Sequence, residues 1–216
     1  MPKFIPIFPL KLAVFPLQTL NLHVFEPRYR QLMNECFETG KTFAIPPVLG
    51  DRLNGYATEM RLTEISKTYE SGEMDVRTKG FKVLKVLEVI QEVPDKLYSA
   101  AIVEEESFMP LDAIELNPQL YELIMKLHKF LGTDFDPYKK FENPLSYDLI
   151  TYCALSLTDQ CHLLEILSER QRQLTLIQHL IKIIPTIEDS MQLREKIKMN
   201  GHFRNETPPD KFNFNR

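Results

Sequence analysis

The sequence predicts an α+β fold, a small β-barrel followed by an α-helical bundle. Three observations carry this. Residues 43–106 hold several short runs of β-forming residues separated by Gly, Pro, Asn and Asp turn signals. A single helix-period segment, between Glu26 and Gly40, interrupts the strands early. From about Leu111 the apolar period changes from 2 to 3.6. Many short strands with one early helix argue a closed or nearly closed barrel, since closure removes unpaired edges. The expected division is a barrel over residues 1–110, a helical part over 111–200 and a polar tail over 201–216. The tail has only Phe203, Phe212 and Phe214 to bury and is expected to be mobile.

Two apolar segments punctuated by Pro6, Pro9 and Pro16 open the chain. The alternating run after them sets Leu20, Leu22 and Val24 on one side of a strand. Pro27 suits a first helical turn, where its missing N–H costs nothing. Tyr29, Leu32, Met33, Cys36 and Phe37 then form one helical stripe, and Gly40 suits the residue after its end. Phe43, Ala44 and Ile45 form a short strand ended by Pro46 and Pro47. Ser71-Gly72 joins two long runs as a hairpin, with Met60, Leu62 and Ile65 pointing inwards. The second run is long and apolar-rich, and Gly80 is its candidate bend or bulge. A turn at Pro94-Asp95-Lys96 leads to a last strand from Tyr98 to Val103.

In the second half Asn117-Pro118 reads as a cap and first-turn pair. Leu120, Leu123, Ile124, Leu127, Phe130 and Leu131 follow on one face. Asn143-Pro144 starts a second helix, and Thr158 is the expected cap of a third containing Leu163, Leu164 and Leu167. Ser168 to Gln171 fits a capping box before a fourth, with Leu174, Ile177, Ile181 and Ile184. Pro185 is expected to stop it, and Thr186 to cap a fifth helix from Ile187 to about Lys198.

Residues 5–33 resemble the opening of the Lon protease amino-terminal domain, which recruits substrates for that ATP-dependent protease. The matching segments are FPLKLAVFP, the L-x-L-H-V-F pattern and the run Phe25-Glu26-Pro27-Arg28-Tyr29-Arg30. The later stretch LSLTDQCHLLEILSERQRQL resembles the family's helical part, where a short helix leads into L-L-E-x-x-S-x-x-x-R-x-x-L. The resemblance covers roughly residues 4–190 and implies a PUA-like barrel with a helical companion. One departure is visible. Where the family often has Gly-x-x-Arg-Phe, this chain has Arg77-Thr78-Lys79-Gly80-Phe81, so no role of the family's arginine is transferred.

Composition and motifs narrow the chemistry. Of 216 residues, 44% are hydrophobic and 26% charged, as in a soluble globular protein. The net charge of −4 is even, with 13 basic and 15 acidic side chains in residues 1–110 and the same numbers in the rest. No basic field exists to attract phosphate backbones, so nucleic acid is not an expected partner. Three scattered cysteines, Cys36, Cys153 and Cys161, read as buried free thiols in a reducing cytoplasm. No signal peptide and no membrane-length apolar run is visible. Thr39-Gly40-Lys41-Thr42 ends like a phosphate-binding loop but lacks its first glycine, which would fall at Glu35. Cys161-His162 has no partner at metal-ligand spacing. His23 reads as a hydrogen-bonded wall histidine. Glu26 and Arg28 read as a capping carboxylate and a salt bridge locking helix to barrel.

The sequence therefore implies a free-standing, non-enzymatic member of the family, without ATPase or peptidase machinery and with no cofactor or metal. The resemblance implies binding of unfolded or tagged polypeptides, with a protease or chaperone as the acting partner. A groove between barrel and helical lobe is the expected surface. Pro46, Pro47, Tyr56 and Tyr69 are its candidate contacts, lying on predicted loops or strand ends. RNA binding is the alternative, because PUA-like barrels also serve that role, and the balanced charge weighs against it.

Overall fold

In the computed structural model, which describes residues 1–106, 116–133, 135–141 and 144–201, the expected period change separates a β half from a helical half. The expected tail beyond Gly201, the start of the helical part at Leu111 and the Asn143 cap lie outside the described residues.

The β half contains β1 (Lys3–Pro6), β2 (Thr19–Val24), α1 (Pro27–Thr39), β3 (Phe43–Ile45) and the small hairpin of β4 (Val48–Leu49) and β5 (Arg52–Leu53). The long hairpin of β6 (Tyr56–Thr68) and β7 (Met74–Ile90) and then β8 (Ala100–Glu105) complete it. The sheet order is β1-β8-β7-β6-β3, with β2 added against the first part of β7. Every named pairing is antiparallel. β2 alternates as expected, with Leu20 and Leu22 half-buried and Val24 fully buried.

The ladders do not close into the expected barrel. The two ends of the strand order, β1 and β3, are bridged only beyond β1, at the isolated parallel bridges Ile7–Ala44 and Leu10–Pro47. Pro6, Pro9, Pro46 and Pro47 supply no N–H, so a continuous ladder cannot form along this seam.

Helix α1 covers one face of the sheet. Pro27 lies in its first turn and Gly40 ends it at φ 68°, in the left-handed region. Tyr29, Leu32, Met33 and Cys36 are buried, and Tyr29 stacks on Phe8 at 3.8 Å. Phe37, expected on the same stripe, is instead 66% exposed. It falls at the edge of the buried arc, beyond the reach of the sheet.

The helical half holds α2 (Asn117–Phe130), α3 (Pro137–Lys140), α4 (Ser146–Leu149) with a 3₁₀ turn at Ile150–Tyr152, α5 (Leu157–Glu165) and α6 (Glu169–Gly201). Its core is continuous with the β half, because Phe15 and Val83 are buried among Leu120, Ile124, Tyr147 and Leu180. Four expectations are corrected here. Asn117 does not cap α2, since its Oδ1 accepts from Gln173 Nε2 at 2.7 Å. Leu131 is exposed at the end of α2. Ser156, not Thr158, caps α5 by accepting from the Asp159 N–H. Pro185 does not stop α6, which runs through it as one helix of 33 residues. Pro185 faces solvent, where water can satisfy the carbonyl its ring leaves unpaired.

The buried stripe of α6 is also displaced from the expected one. Leu176, Ile177, Leu180 and Ile184 are buried, while Leu174 and Ile181 are exposed. The reason is a polar cluster that occupies the inner face of the first turn. Glu169, Arg172 and Gln173 are buried there. Arg172 donates to Glu169 Oε2 at 2.7 Å, Ser146 Oγ at 2.9 Å and the Ile166 carbonyl at 2.5 Å. Glu169 also accepts from the Ser146 N–H at 2.7 Å and from Gln173 at 2.8 Å. A buried ion pair persists when its remaining hydrogen-bonding groups are satisfied in this way.

Candidate polypeptide-binding groove

Two local irregularities, one on each of two neighbouring segments, define the groove between the halves. The first is a bulge in β7. Glu59 of β6 pairs with Lys82 and Met60 with Gly80, so Phe81 is the extra residue. A bulge re-aims the side chain it carries, and Phe81 is 49% exposed. Gly80 is required there, because a Cβ would overlap the Phe15 carbonyl oxygen.

The second is the tight turn at residues 15–18. The Gln18 N–H donates to the Phe15 carbonyl at 3.2 Å, with Pro16 and Leu17 between them. Leu17 has φ 72°, so this is the pattern of a type II turn with leucine where glycine is preferred. A bulky residue in the left-handed region costs on the order of 1 kcal/mol or more and persists only where the surroundings enforce it. They do so here. The Leu17 N–H donates to the Gly80 carbonyl at 3.0 Å and the Gly80 N–H to the Gln18 carbonyl at 2.8 Å. The result is a leucine side chain 51% exposed beside the bulged phenylalanine.

Leu17 and Tyr147 line both compartments of the groove. One, of about 320 Å³, also holds Pro16, Phe81 and Val83, with Lys82, Glu105 and Glu106 around it. The other, of about 460 Å³, holds Leu12, Leu20, Phe141 and Tyr152. Tyr147 is held from below by the buried cluster of α6, with the Arg172 guanidinium 4.1 Å from its ring centroid. Burial pushes its phenol up to about 12, so it stays a neutral hydroxyl. Lys82 is paired with Glu105, and that hydrogen bond lowers the Glu105 carboxyl. Arg61 and Lys82 both lie over the Phe81 ring, at 5.1 and 5.3 Å.

The four residues expected to contact a polypeptide are not brought together. Pro46 and Pro47 are buried in the seam, where their carbonyls accept from Leu10 and Asn54. Tyr56 packs half-buried against the helical core. Tyr69 lies past the far end of β6, on the order of 40 Å of strand away, and donates to Asp75 at 2.8 Å. Leu17 and Phe81, which line the groove, are not among the residues expected from the sequence. The signal available was the pair Gly80-Phe81 opposite a proline turn, and it requires knowing that the two segments touch.

The family-motif residues have structural surroundings. Glu26 holds Arg28 at 2.7 Å within the same turn and makes no cap bond, so this pair does not lock helix to sheet. Arg30 does, by donating to the Ser71 carbonyl at 2.7 Å. Phe25 is exposed beside His23. His23 is exposed too, paired with Asp75 at 2.7 Å, and is not a wall residue.

The three cysteines are buried, with burial raising the Cys36 thiol to about 11 and Cys153 to about 12. No group of three His, Cys, Asp or Glu side chains that could hold a metal ion occurs among the described residues. Gly40 and Lys41 follow a helix and not a strand, so they form no phosphate cradle. No helix among the described residues is long and apolar enough to cross a membrane.

A curved antiparallel sheet, a helical lobe fused to it through a shared core and an apolar groove between them define a binding domain. Matches to known proteins give this class its family. The sequence model of the ATP-dependent protease La (LON) substrate-binding domain matches residues 5–183, and the chain belongs to that family. The fold is shared with a Lon N-terminal domain protein from Xanthomonas campestris, at 24% identity and a TM-score of 0.60. It is shared also with the N-terminal domain of the Mycobacterium avium complex Lon protease, at 15% identity and a TM-score of 0.64. Each match covers 82% of this chain and 98% of the other.

Proposed function

We propose that this chain holds extended, unfolded or tagged polypeptide segments in the inter-lobe groove, for a protease or chaperone to act on. The observation that carries the reading is the exposed pair Leu17 and Phe81, each presented by a backbone irregularity that folding alone does not need. Strain kept at an exposed apolar residue marks a functional surface. The groove offers apolar pockets with charged side chains around them, suited to the apolar side chains of many sequences. Glu105, Glu106 and Asp148 around it are a poor match to an RNA backbone.

The test separates binding from folding. Leu17→Gly relieves the left-handed strain, so it should leave stability unchanged or raise it by up to about 1 kcal/mol. It should weaken binding of a fluorescently labelled, reduced and carboxymethylated lactalbumin by roughly tenfold, since about 1.4 kcal/mol of apolar contact is lost. Phe81→Ala should weaken it similarly. Unchanged binding by both variants, each verified as folded, would remove the groove from the mechanism.

A further inference from the structure

We infer that the open seam between β1 and the segment entering β3 is a second binding site, independent of the groove, for an extended acidic peptide. The parallel bridges Ile7–Ala44 and Leu10–Pro47 fix a register between these segments. Continued towards the amino terminus, that register sets Phe4 opposite Lys41 and Ile5 opposite Thr42. The segments do not pair there. No backbone hydrogen bond joins residues 3–6 to residues 40–42, and a cleft of about 470 Å³ lies between them.

Side chains frame the cleft, with one carboxylate bridging its two edges. Lys3 Nζ reaches the buried Glu59 at 2.8 Å, and Thr42 Oγ1 donates to the other Glu59 oxygen at 2.6 Å. On the opposite wall Glu35 accepts from Lys96 at 2.9 Å and from the buried Tyr98 hydroxyl at 2.6 Å. The gap is therefore a framed site and not a frayed strand end.

Its recognition chemistry has three parts. The backbone edge of β1 is the first. The Ile7 N–H is turned towards β8, donating to the Ser99 carbonyl at 2.9 Å, and the Phe8 N–H is turned to β3, donating to Ala44 at 2.8 Å. By the alternation of an extended strand, Phe4 directs its N–H and C=O into the seam. An added strand would use both. The second part is an apolar wall of Phe4, Pro6 and Val93. The third is charge. Lys3 and Lys96 are each held by a carboxylate, whereas Lys41 feels Glu35 across the cleft without a direct ion pair to it. An incoming glutamate, aspartate or terminal carboxylate would complete that set.

The probe is a fluorescent hexapeptide of alternating valine and glutamate with a free carboxyl terminus, titrated against the full chain by anisotropy. A version with lysine replacing glutamate is the control. Saturable binding of the acidic peptide, at least tenfold tighter than the control, is expected. Lys41→Glu should abolish the preference and Lys41→Arg should retain it. Phe4→Pro, which removes the seam-facing N–H, should weaken binding at least fivefold more than Phe4→Ala, which keeps it. Leu17→Gly should leave this binding unchanged while losing the unfolded client, so failure of either site is visible separately. Equal affinity for both peptides overturns the inference. So does loss by Leu17→Gly with none by Lys41→Glu. Pairing of two copies through the seam, seen as a concentration-dependent dimer that the acidic peptide does not dissociate, overturns it as well.

Discussion

The two halves of this domain treat polar and irregular residues in opposite ways. In the β half most charges are exposed, with Glu59 a buried exception, and two of the irregularities, the Phe81 bulge and the Leu17 turn, open onto the groove. In the helical half the backbone of the longest helix is regular across Pro185, and the exceptions are charges taken into the core. Glu169, Arg172, Ser146 and Gln173 are all buried and joined in one network in which Glu169 accepts from the other three. On the proposed reading, the β half contributes Leu17 and Phe81 to the groove, and the helical half contributes Phe141, Tyr147 and Tyr152 together with the buried support behind them. Tyr147 is where the two meet, lining both compartments while resting on Arg172.

The strongest way to break this contrast is Arg172→Ala. Removing the guanidinium leaves Glu169 buried without its cation, which costs about 3–5 kcal/mol. Chemical denaturation should show that loss, and groove binding should fall with it because Tyr147 loses its support. The pair Glu169→Gln with Arg172→Met should recover a good part of the stability, since an apolar replacement carries no orphaned charge. A double variant no better than Arg172→Ala would mean that packing, not charge, is the function of this cluster.

Gly80→Ala tests the other half. The added methyl must push the Phe15 carbonyl aside or undo the bulge, an overpacking cost of about 1–3 kcal/mol. It should also reduce client binding, because Phe81 and the Leu17 turn both depend on contact with Gly80. Hydrogen exchange would locate the damage. Loss of protection at Leu17 and Gly80, with α6 unaffected, is the expected pattern. Damage spread evenly over both halves would show that they are not separable in the way proposed.

What the sequence makes legible follows the same division. Alternation along β2, the stripe of α1 and the glycine after it could be read directly, because each reflects local geometry and burial on one side. The open seam could have been anticipated from Pro6, Pro9, Pro46 and Pro47, but only once those segments are known to be neighbours. The stripe of α6 was misplaced because its buried face begins with Glu169, Arg172 and Gln173, residue types that periodicity arguments assign to solvent. Pro185 does not end α6, since a helix carried by tertiary packing on its first half can continue through one exposed proline. A groove does lie between the halves, and Pro46, Pro47 and Tyr69 are not among the residues that line it. Leu17 and Phe81 owe their exposure to a turn and a bulge whose hydrogen bonds cross between distant segments, and no local pattern encodes that.

The smallest effect belongs to Glu35, a half-buried carboxylate at the rim of the seam, and it sharpens the comparison by pH. Burial raises its pKa, but the hydrogen bond from Tyr98 and the pair with Lys96 outweigh burial and hold it below the ordinary value. A folded pKa below the unfolded one means stabilisation that is complete above about pH 4.3, the ordinary glutamate value, and lost as pH falls through the folded value. Because the pair is partly exposed, the contribution is below about 1 kcal/mol. Glu35→Gln should therefore lower the urea midpoint slightly at pH 7, and the gap to the parent protein should close in acid. Arg172→Met, Glu169→Gln should leave that closing untouched, since Glu35 lies in the β half. A gap that stays constant from neutral to acid would show that Glu35 acts through packing alone, and that the charges at the seam contribute as little to its stability as most exposed ion pairs do.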